Sequence, residues 1–365
     1  MSDAVDLPEA HNDATAAPVR VRDDKGLVYP FEDRKPGMGE AIEVAPGIFW
    51  LRMPLPFQLN HINVWLLEDG DGWAIVDTSV NDGTSKKHWE AVLKTKLGGR
   101  KVTRVFVTHM HPDHVGLSGW LCEKYGAQLH MSRTDYLMCR MLVGDTGQKP
   151  PPEGLNFYKA AGFPEDAMAK YFERFGGFGM GVYRLPQAYR RLSEGDEFAI
   201  GGRIWRVVVG RGHAPEHACL WCPEANIIIS GDQILPRISS NVSVFPTEPE
   251  SNPLQEWLDS CARLRDLLPD ETLVLPAHNE PFRNVKKRMQ DLIDGHEEGM
   301  TKLLALLDEP KRAVDVFPAL FRARITGSNY IMATGESLAH LNCLMARGDV
   351  TRERGADGVD RYARA

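Results

Sequence analysis

Three histidines and an aspartate stand close together in VFVTHMHPDHVG, residues 105–116. His109, His111, Asp113 and His114 offer imidazole nitrogens and a carboxylate, the ligands that a zinc-type ion prefers. The stretch follows a run of strand-forming residues, so alternation would point the first two histidines to one side. The turn into the next helix would carry the aspartate and the last histidine towards a second point. This loop therefore predicts ligands for two metal ions.

Further ligand-type residues come just after later β-like runs. Asp77 follows GWAIV, His213 follows RIWRVVVGRG, Asp232 follows NIIISG and His278 follows TLVLPA. Unrelated polar residues would not be expected to repeat this position, whereas ligands gathered at one edge of a sheet would. The repetition favours a metal site over the alternative, a polar loop with exposed histidines.

The elements that must position these residues alternate between β-like runs and amphipathic helices, which predicts an α/β layered fold. Residues 1–40 are polar and aperiodic, so we expect a flexible leader. We expect residues 41–283 to form one domain, the catalytic one if the metal site is active. Within it, residues 134–190 are a helical insertion rich in Met, Phe and Tyr. Residues 284–365 predict helices followed by a hairpin, a helical domain that is winged-helix-like.

The THMHPDH stretch, the later GHAPEH, SGD and PAH elements and the upstream VDT element resemble the metallo-β-lactamase superfamily over roughly residues 45–282. The resemblance implies an αββα sandwich with a dinuclear site at one edge, and it assigns Asp77 to bracing the ligand loop. The implied ligands are His109, His111 and His213 for one ion, Asp113, His114 and His278 for the other, and Asp232 as the bridge. Zinc is the expected metal, with iron or manganese as alternatives.

Two residues argue against two branches of the superfamily. Asp232 stands where the main zinc β-lactamases carry cysteine, and His111 stands where the flavodiiron reductases carry glutamate. Two ions would generate a hydroxide and stabilise an oxyanion, with Asp113 and Asp232 as the catalytic carboxylates. We expect cleavage of an ester, thioester or lactone in a small or amphiphilic substrate. A phosphodiesterase or ribonuclease whose C-terminal domain contacts nucleic acid is the alternative, and a non-catalytic metal-binding scaffold is a minor one.

Two groups of side chains are candidates for substrate binding. The segment ILPRISSNV after Asp232 contains polar groups suited to a carboxylate or carbonyl, although Ser and Asn there could equally cap a turn. Aromatic residues of the insertion could line an apolar lid, or could simply pack the extra helices. The candidates are Arg237, Ser239 and Asn241 in the first group, and Tyr158, Phe178 and Tyr183 in the second.

Two further features near these elements have plainer interpretations. His217, four residues after His213, could hold a ligand in place by a hydrogen bond, although a buried histidine that simply satisfies a polar neighbour is the commoner case. Cys219 and Cys222 have CxxC spacing but no second pair, so two core thiols are favoured over a structural zinc site.

Charge and hydropathy indicate the compartment and the partners. The formal net charge is -7, and no stretch has the length and apolar character of a membrane span or a secretory signal. Residues 286–365 contain 13 Lys and Arg against 12 Asp and Glu, too balanced for a typical duplex-binding module. We therefore expect a cytoplasmic protein with a small-molecule substrate and without nucleic-acid or membrane partners, and a homodimer is the candidate assembly.

Overall fold

The computed structural model describes residues 22–24, 26–31, 34–57, 59–95 and 98–365. Most of the predicted leader, residues 1–21, lies outside the described residues. No helix in the described part of the chain is both long enough and apolar enough to cross a membrane.

The end of the predicted leader is packed rather than loose. Strands β1 (Arg22–Asp24) and β2 (Leu27–Tyr29) form an antiparallel hairpin. Leu27 and Tyr29 are buried, and Asn284 donates a hydrogen bond to the carbonyl of Gly26 over 2.7 Å. The expectation of a flexible leader up to residue 40 is wrong for this hairpin, because its two apolar side chains enter the core.

The first sheet runs in the spatial order β3-β4-β5-β6-β7-β8-β9. Neighbours from β3 to β6 are antiparallel, whereas β6, β7, β8 and β9 are parallel. The strands are β3 (Ala41–Ala45), β4 (Ile48–Pro54), β5 (His61–Asp69), β6 (Gly72–Val76), β7 (Val102–Phe106), β8 (Gln128–Ser132) and β9 (Arg190–Leu192).

Helices cover the outer face of this sheet. Trp89, Leu121 and Tyr136 on these helices pack with Leu51 and Val64 of the strands in one apolar core. The helices are α1 (Gly83–Thr95), α2 (Pro112–Val115), α3 (Ser118–Tyr125) and α4 (Arg133–Gly144), followed by α5 (Pro152–Ala161) and α6 (Glu165–Arg174). Helices α4 to α6 lie in the predicted helical insertion.

The second sheet has the order β10-β11-β12-β13-β14 and faces the first. Trp50 and Trp65 of the first sheet meet Trp205, Ile229 and Leu275 of the second in the core between the sheets. The strands are β10 (Glu197–Ile200), β11 (Arg203–Gly210), β12 (His217–Cys222), β13 (Ile227–Gly231) and β14 (Leu273–Pro276), and α7 (Pro253–Leu267) covers the outer face. Helices thus enclose both sheets, which confirms the predicted αββα sandwich.

The C-terminal residues pack on the second sheet. Helices α8 (Val285–Leu306), α9 (Phe317–Leu320) and α10 (Tyr330–Arg347) precede the hairpin of β15 (Val350–Arg354) and β16 (Asp360–Arg364). Leu338 and Leu341 of α10 share one core with Trp257 of α7. The predicted helical C-terminal region is confirmed, while its winged-helix character stays a prediction.

Candidate metal centre

Loops at one edge of the sandwich deliver the predicted ligands. Strands β6 and β7 are parallel neighbours in the first sheet, as β13 and β14 are in the second. Their carboxyl ends therefore meet at a shared edge. The residues that follow strand ends there are His109 and His111 after β7, His213 after β11, Asp232 after β13 and His278 after β14, while Asp113 and His114 lie on α2.

The first cluster consists of His109, His111, His213 and Asp232. The Nε2 atom of His109 lies 2.8 Å from Nδ1 of His111 and 3.2 Å from Nε2 of His213. The Nε2 atom of His213 lies 3.4 Å from Oδ2 of Asp232. These side chains are buried or nearly so. Four ligand atoms from three loops thus surround one point.

The second cluster consists of Asp113, His114 and His278. Oδ2 of Asp113 lies 3.7 Å from Nε2 of His114 and 3.4 Å from Nε2 of His278. Asp232 reaches this cluster too, since its Oδ2 is 3.5 Å from His114 Nε2 and its Oδ1 is 3.4 Å from His278 Nε2. The carboxylate of Asp232 therefore lies between the two clusters.

The donor set fits divalent metal ions. Tetrahedral ligands at about 2.0–2.1 Å from a zinc ion are separated from one another by about 3.3–3.4 Å, and the measured separations scatter around that value. His114 Nε2 and Oδ1 of Asp232 are buried without a hydrogen-bond partner among the described residues. Such orphaned atoms are costly in an apolar interior, and a cation would satisfy both.

Hydrogen bonds fix which ring nitrogen faces the cluster. A neutral histidine that donates from Nδ1 keeps a lone pair on Nε2 for a metal. The donations are from His213 to the carbonyl of Asn241 over 2.7 Å, from His278 to the carbonyl of His61 over 2.9 Å, and from His114 to the carboxylate of Asp77 over 2.8 Å. These three rings therefore present Nε2 towards the ligand clusters.

The electrostatics of the two clusters differ. Burial, reinforced by neighbouring imidazoles, holds the pKa of His109 well below its usual value and lowers the pKa of His111 to about 3. These rings are neutral donors. Burial also opposes charge on His114, but the carboxylates of Asp77, Asp232 and Asp113 outweigh it and raise its pKa. The acidic second cluster therefore favours positive charge, as a cation site requires.

Asp77 braces the ligand loop. It occupies the left-handed region with φ 63°, directly after β6. Its Oδ1 accepts the backbone N–H of Thr108 over 2.8 Å, and its Oδ2 accepts from His114. Asp77 thus fixes both the strand end and one ligand ring, the role that the resemblance implies for it.

His217 supports Asp232 from behind. Its Nε2 accepts the backbone N–H of Asp232 over 3.0 Å, and its ring stacks on His109 with centroids 4.7 Å apart. Gly231 makes this contact possible, because a Cβ there would lie 2.6 Å from the His217 ring. The residue before Asp232 must therefore be glycine.

Asp135 is a positioning residue that sequence reasoning missed. The side chain is fully buried at the start of α4. Its Oδ1 accepts the backbone N–H of Met110 over 3.0 Å, and its Oδ2 accepts that of Glu216 over 2.8 Å. One carboxylate thus ties the loop of His109 and His111 to the loop of His213. Its only sequence signal is an acidic residue in the first turn of a helix.

Asn63 was missed as well. Its side chain is buried on β5, accepts from Trp50 Nε1 over 2.7 Å, and donates to the carbonyls of Pro276 and Asn279 over 2.9 and 2.6 Å. The segment between those carbonyls carries His278. Asn63 therefore joins the first sheet to a ligand loop of the second.

The predicted substrate group after Asp232 is engaged within the protein. Arg237 forms an ion pair with Glu280 over 3.1 Å and covers the ring of Tyr29. Ser239 donates to Nε2 of His296 over 3.2 Å. Asn241 offers its carbonyl to His213 and its amide to Glu336. In this segment, Asn241 contacts a candidate ligand directly.

The aromatic candidates are spread over the insertion and do not form one lid. The lid interpretation is wrong for Tyr158, which is 3% exposed and packs between Phe163 and Tyr171 inside the insertion. Phe178 packs against the core of the first sheet, and the hydroxyl of Tyr183 donates to Glu123 over 3.2 Å. Among the described residues, no hydrogen bond or ring contact joins these three side chains to the candidate ligands, although the backbone N–H of Tyr183 donates to the carbonyl of Gly116 at the end of α2 over 2.7 Å.

The sequence matches family models over most of its length. A model described as Metallo-beta-lactamase superfamily matches residues 58–278. A second, described as Metallo-beta-lactamase-like, C-terminal domain, matches residues 300–365.

Individual proteins are similar over much of this chain. A crystal structure of a beta-lactamase domain protein from Burkholderia ambifaria is 41% identical with a TM-score of 0.86, covering 93% of this chain and 99% of that one. A probable metallo-hydrolase, YqjP, of Bacillus subtilis (strain 168) is 26% identical over 82% of this chain and 93% of its own length. The acyl-coenzyme A thioesterase MBLAC2 of Gallus gallus is 26% identical over 65% of this chain and 79% of its own.

Proposed function

Since this chain belongs to the metallo-β-lactamase superfamily of hydrolases, we propose that it holds two divalent metal ions and cleaves an ester, thioester or lactone. The observation that carries the proposal is the position of Asp232, whose carboxylate oxygens lie 3.4–3.5 Å from ligand nitrogens of both clusters. A carboxylate placed in this way suits a bridge between two ions. Zinc is the metal that we expect from the nitrogen-rich first cluster.

Bound cations would supply a water of lowered pKa and would polarise the substrate oxygen. His109, His111 and His213 would hold one ion, and Asp113, His114 and His278 the other, with Asp232 between them. The protein's own contribution is orientation. Asp77, His217 and Asp135 fix the ligand loops from behind, so the donor atoms are in place before a substrate arrives.

An acyl bond is favoured by similarity to the thioesterase of Gallus gallus. Asp232 stands where the main zinc β-lactamases carry cysteine, and this difference argues against antibiotic hydrolysis as the native function. We also propose a small-molecule substrate, a cytoplasmic location, and a homodimer as the candidate assembly.

The rival function, a phosphodiesterase or ribonuclease, needs the C-terminal helices to read nucleic acid. Helix α10 would be the recognition helix, but the residues from Ser337 to Leu344 are all buried. Within the described residues this helix therefore packs on the sandwich rather than offering a free face. The nearly balanced charge of residues 286–365 favours the same interpretation.

Metal content tests the first half of the proposal. Purified protein is expected to contain about two equivalents of zinc, iron or manganese by elemental analysis, and to lose its hydrolase activity on chelation. Fully active protein without metal would overturn it.

Substrate class is tested with a panel of esters, thioesters, lactones and bis-p-nitrophenyl phosphate, each with zinc, iron or manganese. Acyl-bond turnover well above phosphodiester turnover is expected. The reverse result, with RNA binding that weakens steeply as salt rises, would favour the rival. Two bound ions without turnover of any substrate would favour the metal-binding scaffold.

Two variants test the ligand assignment. Asp232→Ala and His278→Ala are each expected to lower the bound metal and to remove activity while the fold persists by circular dichroism. Asp166→Ala on an exposed face of α6 is the control. Normal activity in either ligand variant would contradict the assignment.

A further inference from the structure

The segment that follows Asp232 leads from the metal centre to the C-terminal helices. Alternate side chains along it are held by hydrogen bonds. Ser239 donates to His296 of α8, Asn241 donates through Nδ2 to Oε2 of Glu336 over 2.7 Å, and Ser243 donates to Oδ1 of Asn241 over 2.5 Å. The amide of Asn241 is therefore fully directed by its neighbours.

Asn241 also contacts the first cluster. Its backbone carbonyl accepts the Nδ1–H of His213 over 2.7 Å, the bond that leaves Nε2 of that ring free for a metal. The same residue thus receives a ligand histidine on its main chain and meets Glu336 with its side chain. A shift of Asn241 would move the acceptor of His213.

Glu336 lies on α10, and the backbone around it is tightly apposed to the segment. The N–H of Val244 donates to the carbonyl of Gly335 over 3.0 Å, and a Cβ on Gly335 would lie 2.7 Å from the side chain of Ser243. Burial raises the pKa of Glu336 to about 7. A carboxyl group in this setting is costly for packing alone.

A second chain of hydrogen bonds reaches the same turn of α10. His340 donates from Nδ1 to the carbonyl of Glu336 over 2.8 Å, which leaves its Nε2 to accept from Nδ1 of His296 over 3.3 Å. Nε2 of His296 then accepts from Ser239. Both histidines are buried. The segment is therefore anchored to α10 at two points, two residues apart.

We propose that Glu336 is a positioning residue for His213, acting through Asn241, so that the C-terminal helix α10 sets the affinity of the first cluster for its metal ion. This inference rests on the proposed function only in requiring that the clusters bind metal. It assigns the C-terminal region a part in building the metal centre, in place of reading a nucleic acid.

The test measures zinc affinity by competition with a chromophoric chelator in a His278→Ala background, where the first cluster is studied without a complete second one. Glu336→Ala leaves the backbone carbonyl of Asn241 present but no longer held in place, so zinc binding is expected to weaken about tenfold, the lower end of the loss seen when a ligand's own hydrogen-bond partner is removed. Glu336→Gln keeps an acceptor for Asn241 and is expected to stay within about threefold of the background. Glu298→Ala, at an exposed position of α8, is the matched control.

Asn241→Ala provides the second arm. This variant removes the side-chain amide that contacts Glu336 but keeps the backbone carbonyl that accepts from His213. Its loss of zinc affinity should therefore resemble that of Glu336→Ala. The double variant should be no weaker than either single one, because residues that act through one contact are non-additive. If Glu336→Ala does not fold, as judged by circular dichroism, the Asn241→Ala arm decides alone.

Two results are kept apart by this design. If the wild-type protein binds no zinc, the proposed function fails. If it binds zinc and Asn241→Ala and Glu336→Ala bind as tightly as the background, the metal site stands and the role of Glu336 is refuted. Independent, additive losses in the double variant would also refute it.

Discussion

Replacing Asn63 by alanine is expected to lower the free energy of unfolding and to weaken the binding of one of the two proposed metal ions. The buried side chain makes three hydrogen bonds, one from Trp50 and two to the segment that carries His278. At about 1 kcal/mol for each bond, with a further 1–2 kcal/mol for the buried indole N–H left without its partner, the loss is roughly 4–5 kcal/mol. Because the anchored segment belongs to the second cluster, that ion should bind about 10–100-fold more weakly.

Urea unfolding of the metal-free protein and chelator competition on the metal-bound protein measure the two effects of Asn63→Ala. Asn156→Ala, at an exposed position of α5, is the control and should lie within about 0.5 kcal/mol of wild type. A stability loss below about 1 kcal/mol would refute the hydrogen-bond reasoning. An equal loss of affinity for both ions would refute the link between Asn63 and His278.

Three further outcomes are expected. Asp77→Asn removes the charged acceptor of His114, so chelator competition should show about tenfold weaker binding of one ion, and unchanged binding of both would contradict this. Gly231→Ala should cost about 2–4 kcal/mol in urea unfolding, because φ is 50° and the new Cβ meets the ring of His217; wild-type stability would disprove the clash. His296 is neutral in the folded protein, since burial and then His340 lower its pKa to about 3, whereas the unfolded chain protonates it near 6.5. Stability is therefore lost as pH falls below about 6.5, because the unfolded chain takes up a proton that the folded protein does not. In urea unfolding, the free energy of unfolding of wild type relative to His296→Gln should fall by about 2 kcal/mol from pH 7 to pH 5. A difference that stays constant with pH would contradict the lowered pKa.

The clustering of the candidate ligands could be predicted because their signal is local. His109, His111, Asp113 and His114 occupy six consecutive positions, and the later ligands follow recognisable strands. Strand ends that share an edge bring such residues together without further information. The α/β order and the helical C-terminal region were predictable for the same reason, since each element has its own periodicity.

The supporting residues could not be predicted, because their partners are distant in the sequence. Asn63 is separated by 213 positions from Pro276, and Asp135 by 81 from Glu216. A single Asn or Asp carries no sign of such a partner.

The substrate role of the segment after Asp232 could not be judged from the sequence, because no local pattern shows that this segment packs against the C-terminal helices. Ser239 and Asn241 face helices α8 and α10, whose side chains take up the hydrogen bonds that a substrate was expected to receive. The hairpin at residues 22–29 was missed for a similar reason, because the cavity that receives Leu27 and Tyr29 is formed by residues far along the chain.

Each ligand cluster draws on both halves of the sandwich. His109 and His213, whose Nε2 atoms are 3.2 Å apart, are separated by 104 positions in the sequence, and the second cluster combines His114 with His278. Ions bound there would act as reversible cross-links that close long loops, much as disulfides do in secreted proteins. Separation of the two sheets would then require release of metal, so chelator concentration would govern how fast the protein unfolds as well as how stable it is.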